Sequence, residues 1–382
     1  MLPLGYASRN LLRSPGRLAQ LVIGSGLVVA LICLAAAFDT GMAKGLAATG
    51  DPRNVIILGA GSEDSVERSE VSAATPGIIA ASVAGLARIG GEAAVSPEVV
   101  YNGLIGPADG APARALIRGI TPMALAVHRS VRLIEGHLPG PDEVLVGVRA
   151  ATLLGCADSD LAVGKELHFE DRSLRISGRF IAPGSVLEAE LWMDLGDLMT
   201  ATRRTTLSSV VVRLGEGGDF GEIDLFCATR LDLELVALAE DAYYDKLDAF
   251  FAPIALMTWI TAALVAAGAI FGGLNTYYAA FAARMAELAT LQAVGFRRWM
   301  ILISLVQEGI LATILGTLVA LTALMVGCDG LGVSFSTFVF TLSIGDDVLL
   351  LGLASGLTLG LLGTLPPAWR CLTTPLPKAL AG

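Results

Sequence analysis

The residues whose type and spacing could do chemistry lie in one short basic stretch and one isolated acid. Arg284, Glu287, Arg297 and Arg298 surround the amphipathic run Met285-Ala286-Glu287-Leu288-Ala289-Thr290-Leu291-Gln292-Ala293-Val294, and Gly295 follows it. Leu288, Leu291 and Val294 fall on one helical face, and Gly295 reads as a helix stop. Such a segment suits a membrane surface or a protein partner, with the surface helix favoured by charge and periodicity alone. Glu308 sits two to three turns inside an apolar block. An ionisable group in such a block is functional by default, although a glutamate near the interface can also snorkel or bond a neighbouring helix.

Other chemistry is missing from the sequence. No G-x-x-x-x-G-K-[ST] loop occurs, so nothing cradles a nucleotide phosphate, and no G-x-S-x-G marks a nucleophile. His128, His137 and His168 are scattered without metal-ligand spacing and read as surface or turn histidines. Of the five cysteines, Cys33, Cys156, Cys227, Cys328 and Cys371, none fits a zinc pattern. Cys156 and Cys227 read as free thiols, with a disulfide as the alternative. No catalytic residue, cofactor-binding residue or metal ligand is expected in this chain.

The elements that position the basic stretch are set by hydrophobicity. Of 382 residues, 54% are apolar and 16% charged, against about 25% charged in ordinary soluble domains. The excess falls into four blocks: residues 18–38, 249–283 and 348–369 carry no charge, and 299–328 carry only Glu308. A bilayer-spanning helix needs about 20 apolar residues, so each block can span. The first exceeds the roughly 7–15 residues of a signal-peptide core and reads as retained. If 251–283 is one helix, it is about 50 Å long, longer than a hydrocarbon core of about 30 Å. It would leave the membrane at both ends. Gly272-Gly273 within it suggest close helix packing.

Charge gives the orientation. Residues 1–17, 284–299 and 369–382 hold eight basic residues against the single acid Glu287, whereas 39–250 holds 18 basic residues against 31 acids. Basic residues beside short loops mark the cytoplasmic side. The expected organisation is a cytoplasmic segment 1–17, a transmembrane helix 18–38 and an external domain 39–250. A transmembrane helix with stalk follows at 251–283, then a cytoplasmic loop 284–299, helix 300–326, external loop 327–347, helix 348–368 and cytoplasmic tail 369–382. The external segment is long enough for its own core and reads as α+β. Strand-like runs occur at 54–58, 143–147, 174–178 and 209–214, a helix at 78–89, a turn at 215–218 and a helix at 231–250.

The stretch Arg284, Glu287, Leu291, Ala293, Val294, Gly295, followed by Glu308 and Gly316, resembles the R-x-x-E-[IL]-x-x-L-[RQ]-A-[LIV]-G…E…G signature of MacB/FtsX-type ABC transporter permeases. These are the macrolide-exporter and lipoprotein-releasing permeases of the type VII mechanotransmission class. Arg9-Asn10-Leu11-Leu12-Arg13-Ser14-Pro15-Gly16-Arg17 is similar to the family's entry to its first helix. Pro367-Ala368-Trp369-Arg370 with Pro377, Ala379 and Leu380 resembles its closing motif. Gly119-Ile120-Thr121-Pro122, Glu135-Gly136 and Gly164-Lys165-Glu166-Leu167 look like its periplasmic core region.

The resemblance implies a membrane α-helical protein with four transmembrane helices, arranged one plus three. A large external α+β domain of two subdomains would lie between helices 1 and 2, one subdomain formed by the ends of 39–250 and one inserted. It implies a bacterial inner-membrane permease subunit that exports or extracts a lipid, lipoprotein, peptide or amphiphile. The alternative is a regulatory mechanotransmission protein that controls an external hydrolase or signalling partner. The implied partners are a separate ATP-binding cassette ATPase carrying the ATP-Mg, a second copy or a similar permease, and membrane lipid. An export system would add a membrane-fusion or adaptor protein; nucleic acid is not a partner. The ATPase contact is expected at Arg284, Glu287, Leu291, Gly295, Arg297 and Arg298.

Overall fold

A computed structural model of the chain describes residues 9–108 and 110–373. Pro377, Ala379 and Leu380 of the closing motif lie outside the described residues. The chain forms two compact units. One comprises residues 9–40, Pro253–Leu331 and 342–373; the other comprises Gly41–Ala252 and Gly332–Thr341.

The first unit is helical. Four helices are long and apolar enough to cross a bilayer: α1 (Pro15–Ala47), α2 (Glu240–Ala282), α4 (Arg298–Gly327) and α5 (Asp346–Thr373). The short α3 (Met285–Ala293) joins α2 to α4. With no hydrophobic drive between helices in lipid, close packing depends on small residues. Gly352, Gly356 and Gly360 recur at four-residue spacing on α5, where a Cβ would collide with Leu321, Thr317 and Thr313 of α4. Gly316 lets α4 approach Val22 and Ser25 of α1 equally closely. At Gly272 and Gly273 a Cβ would meet no atom of the described residues within 4 Å. On the part of α2 within this unit only Ala262, Tyr277 and Phe281 are buried, and Leu264 and Phe271 are exposed.

The second unit is built on a sheet of ten strands: β1 (Asn54–Gly59), β2 (Val95–Pro107), β3 (Ala113–Ile120), β4 (Arg132–Gly136), β5 (Glu143–Gly147), β6 (Glu166–Phe169), β7 (Arg172–Ile181), β8 (Leu191–Asp194), β9 (Ser209–Arg213) and β10 (Leu235–Ala239). Their order is β10-β1-β9-β2-β3-β8-β5-β7-β4, and β6 bridges β7 and β2. Strands β1, β9 and β10 come from the ends of the external segment, and the others from between them. The 13-residue β2 joins the two halves, since its start pairs with β9 and its continuation with β3. Central β1 and β9 are buried along their whole length, as β-branched runs covered on both faces must be. The edge strand β4 is exposed throughout and carries charge, which discourages further pairing.

Two sequence readings change here. Residues 231–250 are not one helix: Leu235–Ala239 is strand β10, and the helix begins at Glu240. The apolar face starting at Ile78 ends early, since the helix spans Thr75–Ser82 and Arg88–Ile89 pairs as a short strand. Within the expected loop 327–347, Gly332–Phe335 and Phe338–Thr341 form a hairpin that clusters with the second unit. Its Phe335 and Phe338 rings stand edge-on to Phe251 at 5.7 and 6.5 Å. Cys156 and Cys227 are free thiols, and burial pushes the Cys227 thiol up to about 11.

Candidate functional site

Glu308 is 2% exposed and collects three donors from distant parts of the helical unit. Asn10 Nδ2 donates to Oε2 at 2.6 Å, Arg17 Nη2 to Oε1 at 2.8 Å and Arg284 Nη1 to Oε2 at 3.1 Å. Arg284 also donates through Nε to Glu287 at 3.3 Å. One carboxylate on α4 thus joins the entry to α1 and the segment that opens α3. Two guanidiniums and an amide satisfy it, as a buried acid requires. Glu308 thus bonds neighbouring segments of the helical unit.

The α3 segment has two sides. Leu288 and Ala289 are buried and join a cluster with Leu11, Leu21, Tyr277, Phe281, Ile301, Leu305 and Leu372. Leu291 is half-buried against it. On the other side Glu287, Val294, Gly295, Arg297 and Arg298 are exposed. Gly295 ends the helix at φ +105°, a conformation a side chain would strain, which explains the glycine there. The structure therefore separates the six expected contact residues. Arg284 turns inward to Glu308, Leu291 packs, and Glu287, Gly295, Arg297 and Arg298 face outward.

A second polar cluster lies in the β-sheet unit. Arg118 on β3 gives Nη1 to Glu98 on β2 at 2.6 Å, and Nε and Nη2 to Glu190 at 2.7 and 2.6 Å. Trp192 Nε1 donates to Glu190 at 2.8 Å. His128 lies 2.7 Å from Glu98 through Nε2 and 3.5 Å from Glu240 through Nδ1. Asn54 Nδ2 donates to Glu240 at 2.9 Å. His128 is 4% exposed, which corrects its reading as a surface histidine; His137 and His168 are exposed as expected. The signal for this cluster is a charge inside an apolar strand, as in Ala115-Leu116-Ile117-Arg118-Gly119-Ile120. Nothing local in the sequence names its partners.

The electrostatics of the cluster make its stability depend on pH. Burial pushes the Glu98 carboxyl up, but the facing His128 and Arg118 outweigh it and hold it at about 2. Burial pushes His128 down, and Glu98 with Glu240 raise it further than that, against Arg118, so the net shift is upward. Glu98 then stabilises the fold above its ordinary 4.5, and that contribution is lost as pH falls towards 2. Protonated His128 stabilises the fold below its ordinary 6.5, and that contribution is lost as pH rises through the higher folded value. Urea unfolding of the β-sheet unit in the full-length protein should show greatest stability between these limits. His128→Gln should flatten the alkaline decline.

The geometry can be set against known proteins. The family model of the MacB-like periplasmic core domain matches residues 19–224, over half the chain, and that of the FtsX-like permease C-terminal matches 259–376. The chain belongs to the MacB/FtsX-type ABC transporter permeases. The solved periplasmic region of MacB from Actinobacillus actinomycetemcomitans is 12% identical, covers 52% of this chain and 94% of its own, and has a TM-score of 0.41. The extracellular domain of the noncanonic ABC-type transporter YknZ from Gram-positive bacteria is 10% identical, covering 48% and 99%, with a TM-score of 0.37. No curated protein matches the chain.

As a MacB/FtsX-type permease, the chain is an ABC transporter subunit of the membrane, with the large α/β domain external and inserted after the first helix. The Glu308 cluster lies within the span matched by the FtsX-like half, apart from Asn10 and Arg17. Those two are partners of Glu308 that residue chemistry missed. Their signal was present only as the Arg9–Arg17 entry motif, whose role spacing alone does not reveal.

Proposed function

We propose that this permease subunit relays ATP-driven motion of a separate ATP-binding cassette ATPase to the external domain, for export or extraction of a lipid, lipoprotein, peptide or amphiphile. Its membrane is the bacterial inner membrane, its termini and residues 284–299 are cytoplasmic, and it works as a dimer with itself or a similar permease. The carrying observation is the anchoring of the α3 segment. A load applied at Glu287, Gly295, Arg297 and Arg298 passes through buried Leu288 and the Arg284–Glu308 pair into α4. Through Arg17 and Asn10 it also reaches the entry to α1. Helix α2 runs over 43 residues, about 65 Å, with Pro253 inside it, and supplies the relay. Four exposed positions on one side suit docking, whereas a membrane-surface helix would bury its apolar face in lipid instead of protein.

The test uses the permease reconstituted with its ATPase. Glu287→Lys and Gly295→Ala are expected to lower transport at least tenfold while leaving ATP hydrolysis by the free ATPase unchanged. Wild-type transport and permease-stimulated ATPase in both variants would remove the assignment.

A further inference from the structure

The external unit holds a cavity of about 620 Å³ between the start of α2, the 61–68 loop, one face of the sheet and the tip of the Ser336–Phe338 hairpin. Its volume is in the range of small-molecule sites, and its walls are of two kinds. Glu240, Glu190, Arg118 and His128 give it a buried ionic wall. Phe250, Phe251 and Phe338 give it an aromatic one. Along α2 the first residue of the ionic wall, Glu240, and Phe251 are eleven positions apart, about 16 Å. Tyr243 and Tyr244 lie between them, their rings edge-to-face at 5.3 Å.

The ionic wall holds more acids than bases. Glu98, Glu190 and Glu240 are buried with only Arg118 and His128 to balance them, and Arg213 is engaged by Asp51. Burial holds the Glu240 carboxyl above its usual range, and in its ionised form it leaves one negative charge over even with His128 protonated. Glu240 Oε2 accepts from Asp51 N and Asn54 Nδ2, whereas Oε1, among the described residues, has only the 3.5 Å approach of His128 Nδ1. A cation beside Oε1 would give it a charged donor closer than His128 and favour the ionised carboxylate. Aromatic faces next to a carboxylate are what an amine or ammonium group binds, and the phenylalanine wall suits hydrocarbon.

We infer that the cavity binds an amphiphile with a cationic amine or ammonium head, its head at Glu240 and the two tyrosines and its chain against Phe250, Phe251 and Phe338. As a substrate class this rests on the export reading; as a binding site it stands without it, so binding is measured with no ATPase present.

The experiment uses full-length permease in nanodiscs and dodecylamine carrying a diazirine on its alkyl chain, with the matching alkyl sulfate as the anionic control. Cross-links are mapped by mass spectrometry. Saturable labelling of the peptides holding Phe250, Phe251 and Phe338 is expected, competed by plain dodecylamine and at least tenfold weaker for the sulfate. Glu240→Gln should weaken labelling at least tenfold. Leu247→Trp, a half-buried position on the cavity wall, should abolish it by filling the space while preserving the fold. Labelling confined to other helices, equal labelling by the sulfate, or labelling that survives Leu247→Trp would overturn the site. Binding without any effect of dodecylamine on transport by the reconstituted complex would overturn its role as a substrate class and leave the site standing.

Discussion

Replacing Glu308 by glutamine is expected to free the α3 segment from the helices it is anchored to. The carboxylate is shared by Asn10, Arg17 and Arg284, and the variant takes the buried negative charge from both guanidiniums, although Arg284 keeps its bond to the exposed Glu287. Breaking a buried pair by removing one partner costs about 3–5 kcal/mol. If that cost falls on local opening, amide exchange around residues 284–296 should accelerate on the order of a hundredfold or more. Hydrogen exchange of the full-length protein in nanodiscs measures this directly. Transport by the reconstituted complex should fall together with the protection, because the docking side of α3 would move without carrying α4 with it. Glu308→Asp keeps the charge but shortens the reach, and should lose less of both. Unchanged exchange over 284–296 in the glutamine variant would show that Leu288 and its hydrophobic neighbours hold the segment unaided, and the relay described above would lose its ionic link.

The second large effect belongs to Arg118. Arg118→Met keeps most of the side-chain volume but leaves Glu98 and Glu190, which are 0% and 3% exposed, facing each other without the guanidinium. The expected loss is again about 3–5 kcal/mol, which for a domain of this size lowers Tm by roughly 6–20 °C. Thermal unfolding of the full-length protein in detergent, followed through the β-sheet signal, checks it. Combining Glu98→Gln and Glu190→Gln with Arg118→Met removes the stranded charges and should recover much of the loss, because uncompensated charge is the main penalty. A drop as large in the triple variant would assign the cost to packing around Arg118 instead. By the same logic Arg213→Met should cost less, since its partner Asp51 is partly exposed and can be hydrated.

Legibility differed between local and long-range features for a physical reason. Much of the α3 segment could be read from the sequence because a helix stop and a face are local: Leu288 and Leu291 turn inward and Gly295 ends the turn at positive φ, but Val294, expected on the same face, lies past the last helical residue and is exposed. Residues 231–250 misled because β10 runs directly into α2. Leu235-Val236-Ala237-Leu238-Ala239 suits either element, and pairing with β1 decides for the strand. Within the chain the close helix contacts fall at Gly309, Gly316, Gly352, Gly356 and Gly360, and local sequence does not set these apart from Gly272-Gly273. A glycine permits approach, and the neighbouring helix determines whether approach occurs.

By itself the amino-acid sequence determined that this chain spans a membrane four times, that a large acidic domain is inserted after the first span, and that the basic loop before the third carries a permease signature. Those features follow from apolar length, charge density and short motifs, all read within one or two dozen residues. Only the tertiary structure decided which charges meet. Glu308 finds partners 298, 291 and 24 positions away, and Arg118 finds acids 20 and 72 away. Burying a charge is tolerable only where an opposite one converges on it, and that convergence is a property of helix packing and strand order, which no local pattern encodes.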